Sequence, residues 1–378
     1  MTARATAIHA KGRTADVLVI GGGTFGQFAT LALAEAGCEV TLIDRASLWS
    51  EASSVNAGSL AVQNKLADLV PYTLWAWDLW LRMSDRLGTD VGVQRTGGYK
   101  VAMTEAEAER LDRVAAAQKT VGLRVERLDP AALREQAPWL SKDVVAATFS
   151  PDDGFASPTL LGPALRRAIE ASGAAIVEHA PVTAIRRDGG LTVETPSGSF
   201  HPRKLAITAG AWSGQCAAMA GVQLPVTLDV NMVSVTESAP PTIPFVTTHA
   251  RGILTLKQVG NRSCLIGGGW QGVGTLADRR KDVDYDQLVH NLRLAVGVVP
   301  GLAELNVVRT WAGYEGVTPD SLPYLGRLGE HPDIFCAACA RGGFTLGPLM
   351  GQLLGELIAD GEASRPIERF DPGRFGHV

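Results

Sequence analysis

A strand, glycine turn, helix and second strand constrain the fold of this chain more than any other feature. Residues 17–45 read VLVIGGGTFGQFATLALAEAGCEVTLIDR: a short apolar run enters three glycines, an Ala/Leu-rich helix follows, and a second apolar run ends at Asp44. Two strands joined by a helix within about 30 residues form a βαβ unit, in which the strands lie parallel. The segment therefore predicts a Rossmann-like domain.

The spacing of the glycines predicts the ligand of this unit. Gly21, Gly23 and Gly26 fit the pattern G-x-G-x-x-G, in which the glycines permit a tight turn, a close approach to a pyrophosphate, and close packing of helix on strand. The helix N-terminus offers free amides and a positive dipole end to phosphates. Asp44 can accept hydrogen bonds from ribose hydroxyls and would repel a 2′-phosphate. NADP is disfavoured, and the unit alone does not separate NAD from FAD.

Length and element order predict two lobes. A chain of 378 residues, 46% of them hydrophobic, exceeds the about 250–300 residues at which single cores stop growing. Helix and strand patterns of the α/β kind occur at the start, middle and end of the chain, with antiparallel strand patterns between them. The predicted fold is α/β (α+β): a Rossmann-like cofactor-binding domain interrupted by a substrate domain with an antiparallel sheet. We place the first at residues 1–80, 146–220 and 320–378, and the second at residues 81–145 and 221–319.

Charge and cysteine content exclude several classes of protein. The formal net charge is −4 and no basic face stands out, so no nucleic-acid partner is expected. No apolar run reaches the roughly 20 residues of a membrane span, and residues 1–16 lack the apolar core of a secretory signal. Five dispersed cysteines do not indicate a disulfide framework, and Cys336 and Cys339 lie in a strand-like run rather than a redox or metal motif. We therefore expect a soluble, cytoplasmic protein without a metal site.

Further stretches distinguish FAD from NAD. Residues 50–60 (SEASSVNAGSL) and 204–214 (KLAITAGAWSG) place small and hydroxyl-bearing residues at strand ends. DGFASPTLL (153–161) fits D-G-x-x-x-P-x-x-L, WAGYEGVTPD (311–320) fits W-x-G-x-x-x-x-T-P-D, and residues 339–358 read CARGGFTLGPLMGQLLGELI. In this order, and over nearly the whole chain, they resemble the D-amino-acid oxidase superfamily of FAD-dependent oxidoreductases. The resemblance is nearest to the glycine and sarcosine oxidases and to the β subunits of opine and hydroxyproline dehydrogenases.

The resemblance implies how FAD would be held. The glycine turn and Asp44 would bind its ADP half, the backbone of Val182 the adenine, and the turn before residue 345 the flavin pyrimidine edge. The implied cofactor residues are Gly21, Gly23, Thr24, Phe25, Gly26, Asp44, Arg45, Ser53, Ser54, Asn56, Ala57, Gly58, Val182, Thr208, Gly210, Trp212, Gly342, Gly343, Phe344 and Thr345. Some family members attach flavin through a histidine or cysteine, but neither SSVNAG nor YEGVTPD contains one, so non-covalent FAD is implied.

A helix predicted from about residue 345 would stabilise the reduced cofactor. Its N-terminal amides are expected to face the flavin N1–C2=O edge, where negative charge appears on reduction. A helix end stabilises such charge by about 0.3–1 kcal/mol when exposed, and by more when buried. Pro348 is expected in the first turn, where a missing N–H costs nothing.

The substrate contacts implied by the resemblance centre on three candidate catalytic residues, Arg341, Glu315 and Tyr314. Arg341 matches by spacing an arginine of glycine oxidases and would pair with a substrate carboxylate. Where glycine oxidases have a second arginine, this chain has Glu315, directly after Tyr314. Glu315 either receives the substrate's amine or another cation, or is a buried acid paired with an arginine such as Arg309. The sequence leaves both readings open.

Two further groups of residues are assigned to structure rather than chemistry. Lys257 and His249 lie in and beside the antiparallel sheet expected over the flavin, where a cation can assist the reaction with oxygen, but an exposed strand lysine is the commoner case. One face of a predicted helix at 71–88 is aromatic. We expect it in the core or at an interface rather than in the pocket; it consists of Tyr72, Trp75, Trp77 and Trp80.

The resemblance implies oxidation of an amine or amino acid: a D-amino acid, N-alkyl amino acid, opine or imino acid. Hydride would leave the α carbon for flavin N5, and the resulting imine would hydrolyse to a keto acid. The sequence does not distinguish oxygen from a quinone or dye as electron acceptor. The alternatives are an FAD-binding subunit without turnover of its own and an NAD-linked dehydrogenase. The expected partners are an amino-acid-like substrate and either further copies of the chain or the α subunit of a heteromeric dehydrogenase.

Overall fold

Two large sheets organise the chain in the computed structural model, which describes residues 14–240, 242–338 and 341–376. The strands are β1 Val17–Ile20, β2 Val40–Ile43, β3 Gly98–Ala102, β4 Glu126–Leu128, β5 Ala146–Ser150, β6 Ala175–Val177, β7 Ala184–Arg186, β8 Thr192–Thr195, β9 Gly198–Phe200, β10 Lys204–Ile207, β11 Thr227–Ser238, β12 Val246–His249, β13 Thr255–Gln258, β14 Ser263–Gly267, β15 Val273–Gly274, β16 Lys281–Asp282, β17 Val307–Val317, β18 Tyr324–Arg327 and β19 Ile334–Ala338. The helices are α1 Thr24–Glu35, α2 Ala52–Val55, α3 Val70–Leu81, α4 Met83–Leu87, α5 Glu105–Thr120, α6 Pro130–Gln136, α7 Pro158–Ala171, α8 Ser213–Met219, α9 Tyr285–Val298 and α10 Gly343–Ala359.

The first sheet confirms the Rossmann-like prediction. Its strand order is β18-β19-β10-β1-β2-β6. β1 pairs in parallel with β2 and β10, and only β18 runs antiparallel to its neighbour. Every residue of β1 and β2 is buried, as expected for strands covered on both faces. The carboxyl ends of β1, β2 and β10 therefore meet at one edge of the sheet.

The second sheet is largely antiparallel, in the order β17-β11-β14-β13-β12-β3-β5-β4, with one parallel pair, β3 and β12. Strand β5 belongs to this sheet, pairing with β3 and β4, although the predicted boundary placed residues 146–150 with the cofactor domain. The sequence of a short strand does not predict which sheet it joins, because its neighbours in the sheet are distant in sequence. We therefore propose that this boundary follows residue 150.

Helices α1 and α10 pack closely through glycines spaced four residues apart. A Cβ atom on Gly351 would lie 2.4 Å from Cβ of Phe28, and one on Gly355 would lie 2.7 Å from Cβ of Ala32. These contacts advance in the same direction along both helices, so the helices run parallel. Their N-termini consequently lie side by side, and two positive dipole ends face the same region.

Helix α10 begins at Gly343, two residues before the predicted start. Pro348 is therefore the sixth helical residue, and the prediction that it occupies the first turn was wrong. The helix tolerates it at the cost of one intrahelical hydrogen bond to Phe344. The earlier start brings Gly343 and Phe344 into the first turn.

The aromatic face of α3 lies in the core, as predicted. Trp77 and Trp80 are fully buried. The indole Nε1 of Trp80 donates to the carbonyl oxygen of Thr345 at 2.8 Å, and the hydroxyl of Tyr72 donates to Pro366 at 2.8 Å. The face thereby supports the first turn of α10 from beneath.

Several predictions concern segments that the structure describes only in part. Residues 1–13, considered for a targeting signal, and Cys339 lie outside the described ranges, while Cys336 is buried in β19. Among the described residues, no helix is long and apolar enough to cross a membrane. In the same part of the chain, no group of three or more His, Cys, Asp or Glu side chains could hold a metal ion.

Candidate active site

A cavity of about 620 Å³ is lined by residues of both sheets. Gly21, Asp44 and Thr208 border it from the carboxyl ends of β1, β2 and β10, the edge at which open α/β sheets bind ligands. Met232 and Glu315 border it from the antiparallel sheet. The volume lies within the range of about 300–1,000 Å³ typical of ligand sites.

Most of the predicted cofactor residues line this cavity. They are Gly21, Gly23, Thr24, Phe25, Asp44, Arg45, Ser53, Asn56, Ala57, Gly58, Val182, Thr208, Gly210, Trp212, Gly342, Gly343 and Phe344. Gly26, Ser54 and Thr345 lie behind the wall. The hydroxyl of Ser54 donates to the carbonyl of Glu51 at 3.0 Å, and that of Thr345 donates to the carbonyl of Ser59 at 3.1 Å. These three residues support the wall but do not line the cavity.

The glycine turn has the close packing that its pattern predicts. Gly21 has φ +106°, a conformation that favours glycine. A Cβ atom on Gly26 would lie 1.9 Å from the carbonyl oxygen of Gly21 and 2.5 Å from Oγ1 of Thr208. The hydroxyl of Thr208 donates to the carbonyl of Ile20 at 2.9 Å. Helix α1 can approach β1 only because residue 26 has no side chain.

Asp44 lies on the cavity wall at the carboxyl end of β2, where the sequence pattern predicts the contact with a ribose. Its Oδ2 accepts from the Gly22 amide at 2.7 Å and its Oδ1 from the Ala46 amide at 2.8 Å, which fixes the carboxylate at the cavity wall. Burial raises the pKa of Asp44, although both amides oppose this effect. Arg45 forms a 2.8 Å ion pair with Glu51, and its guanidinium lies 3.6 Å from the ring centroid of Trp212.

The segment from Ser53 to Gly58 comprises the end of α2 and the turn after it, and contacts the N-terminus of α1. Oγ of Ser53 accepts from the Thr24 amide at 2.8 Å. The side chain of Asn56 bridges the turn, donating to the carbonyl of Ser53 at 2.7 Å and accepting from the Gly58 amide at 2.7 Å. Gly58 has φ +72°, and a Cβ atom there would lie 2.1 Å from the Ala156 carbonyl oxygen. The amide of Asn56 thus shapes the wall rather than pointing freely into the cavity.

Glu315 lies on the cavity wall where the two sheets meet. Its Oε1 accepts from the Gly342 amide at 3.3 Å, and its Oε2 accepts from the side-chain amide of Asn231. Burial raises the pKa of Glu315, while the Gly342 amide and the charges of Arg341 and Lys65 act in the opposite direction. Glu315 therefore has neutral hydrogen-bond donors and no direct ion pair among the described residues.

Arg309, the arginine considered as a partner of Glu315, is not close to it. It lies six residues earlier on β17, opposite Val235, whereas Glu315 lies opposite Asp229. Six strand residues span about 20 Å. The pairing with Arg309 was therefore wrong.

Arg341 lies at the rim rather than on the wall of the cavity. Its guanidinium forms an ion pair with Asp229, and its side chain is 50% exposed. The guanidinium lies beside Gly269, which lines the cavity: a Cβ atom on Gly269 would be 3.2 Å from Nη1 of Arg341. An exposed ion pair of this kind contributes little to stability, so a substrate carboxylate can compete for the guanidinium.

Tyr314 lines the cavity, and its hydroxyl is held by two backbone carbonyls. The hydroxyl lies 2.7 Å from the carbonyl oxygen of Thr275 and also contacts that of Arg280. Its ring packs edge-on against Trp212, with centroids 5.7 Å apart. Burial raises the pKa of Tyr314. Tyr314 therefore fastens the loop between β15 and β16 over the cavity and is not free to act as an acid or base.

Two buried lysines beside the site were missed by sequence reasoning. Lys257, expected to be exposed, is 1% exposed; its Nζ donates to the hydroxyl of Ser59 at 2.8 Å. Burial lowers the pKa of Lys257 to about 7. Lys65 is buried beneath the turn at Gly342 and donates to its carbonyl at 3.1 Å. The sequence offered a signal only for Lys65. The run VQNK (62–65) lies close after the small-residue segment, and its polar residues fit neither a strand face nor a helix face.

Comparison with known proteins decides which dinucleotide belongs to this site. Residues 16–357 match a family described as FAD dependent oxidoreductase. The chain belongs to this family. The glycine oxidase of Geobacillus kaustophilus (strain HTA426) is 32% identical to it over 366 residues, which cover 94% of this chain and 96% of that protein. A subunit of the opine oxidase of Agrobacterium tumefaciens (strain Ach5) is 27% identical over 372 residues, which cover 95% and 97% of the two chains.

The family's structures share this fold. A crystal structure of L-proline dehydrogenase from P. horikoshii has a TM-score of 0.88 and 27% identity, covering 96% of this chain and 98% of that chain. The site's own geometry fits FAD: a glycine turn that a Cβ would block, a fixed ribose-side carboxylate, and two helix N-termini at one cavity. Membership of this family implies FAD as the cofactor, so the NAD-linked alternative was wrong.

Proposed function

We propose that this protein oxidises the carbon–nitrogen bond of an amino acid or N-substituted amino acid, using FAD that is held without a covalent bond. The observation that carries the proposal is one cavity lined both by a dinucleotide cradle and by Glu315, which contacts the turn that follows Arg341. A carboxylate and a guanidinium are the groups that bind an amine and a carboxylate. The related glycine oxidase, opine oxidase and L-proline dehydrogenase are named for compounds that carry both.

Bound FAD supplies the two-electron oxidation of the substrate carbon, and the imine product hydrolyses to a keto acid in water. The protein's own tasks are to bind, orient and shield. Arg341 is placed to hold the carboxylate at the rim. Glu315, whose pKa is raised by burial, is placed to take the proton of the substrate's ammonium group on Oε1 or Oε2, leaving the neutral amine that can be oxidised.

The proposal of non-covalent FAD is supported by the residues of the cavity wall. Among the described residues that line it there is no histidine and one cysteine, Cys216, which packs in the same hydrophobic cluster as Val182. Burial raises the pKa of the Cys216 thiol to about 11, so the thiolate needed for attachment is scarce at neutral pH. Denaturing the purified protein with acid is expected to release all its yellow colour into the supernatant.

Glu315→Gln is expected to lower kcat/KM by about 10–150-fold, because a hydrogen bond to a charged group contributes roughly 1.5–3 kcal/mol. The raised pKa also sets a direction with pH. Acidification through the pKa of Glu315 protonates it and lowers kcat/KM in the wild type, whereas the variant lacks this acidic limb. Steady-state kinetics across pH measure both effects.

Glu237→Gln is the matched control for this variant. Glu237 lies on β11, at the end of the strand far from Asp229, which pairs with Glu315. Like Glu315, it accepts from a backbone amide and an asparagine side chain, both of Asn306, at 2.8 and 2.9 Å. It does not line the cavity. Unchanged steady-state constants in the Glu315 variant would contradict the proposal that Glu315 accepts the proton of the substrate's ammonium group.

A second candidate is a catalytic subunit that needs a partner. The related opine oxidase chain is itself one subunit of an enzyme, and the match covers 97% of its length. If this chain depends on a comparable partner, the isolated protein will be yellow but inactive. Its FAD site would be the same, but oxidation of the substrate would require the partner.

Anaerobic bleaching of the flavin colour tests the proposal. The purified protein is expected to be yellow and to lose its absorbance when mixed without oxygen with one member of a panel of D-amino acids, N-methyl amino acids, opines and hydroxyproline isomers. Peroxide formation in air then separates an oxidase from a dehydrogenase. A yellow protein that no member bleaches favours the partner-dependent subunit, and a colourless protein that does not take up added FAD contradicts both.

A further inference from the structure

Lys65 is a buried cation without a role in the site as described so far. It is 8% exposed, and its Nζ donates to the carbonyl oxygen of Gly342 at 3.1 Å. A Cβ atom on Gly342 would lie 1.8 Å from Nζ, so the ammonium group fills the space beside this left-handed residue, which has φ +75°. The side chain of Gln118 donates to the carbonyl of Lys65 at 2.7 Å and fixes its backbone.

Two charged side chains of opposite sign hold the turn at Gly342. Glu315 accepts from the N–H of this residue, and Lys65 donates to its carbonyl. Glu315 and Asp153 are the carboxylates whose charges act on Lys65, against the desolvation that lowers its pKa to about 8. Removing either partner of such a pair leaves an uncompensated charge in a poorly solvated place.

The amide that follows the Gly342 carbonyl belongs to a residue of the cavity wall. Gly343 lines the cavity, and its N–H has no acceptor among the described residues. The peptide bond between Gly342 and Gly343 is trans, so its N–H points away from the carbonyl that binds Lys65. Hydrogen bonds in series polarise one another, and a charge in a low-dielectric interior acts strongly on nearby dipoles.

We propose that Lys65 is a positioning residue of the oxidation site: bound to the Gly342 carbonyl, it aims and polarises the Gly343 amide toward the cavity and supports reduction of the FAD bound there. The inference rests on the proposed function in one respect, that FAD occupies this cavity with its ring at the turn. In this proposal the positive charge of Lys65, on the side of the turn away from the cavity, adds to the positive dipole ends of α1 and α10 at the cavity. Lys65 itself does not line the cavity and acts only through the turn.

Sulfite titration of the holoenzyme tests this role without any turnover. Sulfite adds to oxidised flavins and leaves negative charge on the ring, so its affinity reports positive potential there. Lys65→Met is expected to raise the sulfite Kd about tenfold. The same loss of stabilisation would lower the two-electron midpoint potential by about 30 mV, the equivalent of one tenfold change.

Lys100→Met is a closely matched control. Lys100 is also buried, donates to a single carbonyl, that of Gln63 at 2.9 Å, and has its pKa lowered to about 8 by burial. It lies on β3 and contacts neither Gly342 nor the cavity, although the Gln63 carbonyl it binds also accepts from Gln118 at 3.1 Å. Its removal therefore controls for disturbance of the segment that carries Lys65. This variant is expected to lose thermal stability but to keep the wild-type sulfite affinity and midpoint potential. If the Lys65 variant shows the same pattern, its role is structural and the proposal is overturned.

Glu315→Gln in the Lys65→Met background gives an independent readout. If the two side chains compensate each other across the turn, Glu315→Gln is expected to tighten sulfite binding more in the Lys65→Met background than in the wild type, because only there is the carboxylate unpaired. Additive effects would contradict the compensation. Should Lys65→Met not retain FAD, Lys65→Gln, which keeps a donor without the charge, is titrated in its place, and wild-type sulfite affinity there overturns the proposal.

The outcomes for Lys65 and for the proposed function are distinguishable. A wild-type protein that binds FAD and sulfite but is bleached by no amine contradicts the proposed substrate class, while the comparison of Lys65 with Lys100 still stands. A wild-type protein that amines bleach, with unchanged sulfite affinity in the Lys65 variants, contradicts only the role of Lys65.

Discussion

Replacing Gly26 with alanine is expected to give a folded protein that no longer retains FAD. The new methyl group would lie 1.9 Å from the carbonyl oxygen of Gly21, and backbone cannot yield as a flexible side chain can. Helix α1 must therefore move off β1, which shifts its N-terminal amides and the Gly21–Gly23 turn from the phosphates. Overpacking of this kind costs about 1–3 kcal/mol, which corresponds to about 5–150-fold weaker FAD binding when the strain falls on the bound state.

The ratio of flavin to protein absorbance after purification, and titration of the stripped protein with FAD, measure this effect. Gly297→Ala is the control: it is the same substitution within a helix, and a Cβ atom there meets nothing within 4 Å. Circular dichroism shows whether both variants fold. Wild-type FAD content in the Gly26 variant would mean that the glycine turn does not hold the dinucleotide.

The fold and the cofactor cradle could be predicted because their signals are contiguous in sequence. A strand, the glycine spacing and Asp44 lie within residues 17–45, and the structure brings them together as the pattern requires. The small residues at 208–210 follow β10 directly, as predicted, whereas those at 53–58 form the end of α2 and the turn after it. Local chemistry dictates local geometry in these segments, and tertiary packing only preserves it.

The substrate end could not be predicted to the same depth because its contacts cross between distant segments. Glu315 meets Asn231 through the register of β11 with β17, and Lys65 meets Gly342 through a loop from the other end of the chain. A strand sequence does not state its register. The sequence of β13 also does not show that both faces of this strand are covered. Lys257 was therefore expected at the surface, whereas the structure places it in the core. The pairing of Glu315 with Arg309 failed for the same reason.

Replacing Arg341 with methionine is expected to lower kcat/KM for carboxylate-bearing substrates by about 10–150-fold, the equivalent of roughly 1.5–3 kcal/mol for hydrogen bonds to a charged group. The effect should fall mainly on KM, since the arginine lies at the rim and grips a part of the substrate that does not react. An amine analogue without the carboxylate is expected to react equally with both enzymes. Steady-state kinetics on such a matched pair of substrates measure the difference.

Asp229→Asn tests the same contact from the opposite side. In the free enzyme Asp229 holds the guanidinium of Arg341, so a substrate carboxylate must displace it, and removing its charge is expected to lower KM. Arg309→Met, an exposed arginine on β17 away from the cavity, serves as the control for loss of positive charge. If the Asp229 variant raises KM and the Arg341 variant leaves it unchanged, the ion pair belongs to the scaffold. The carboxylate would then have to be held by the helix N-termini, whose amides would have to serve substrate and cofactor together.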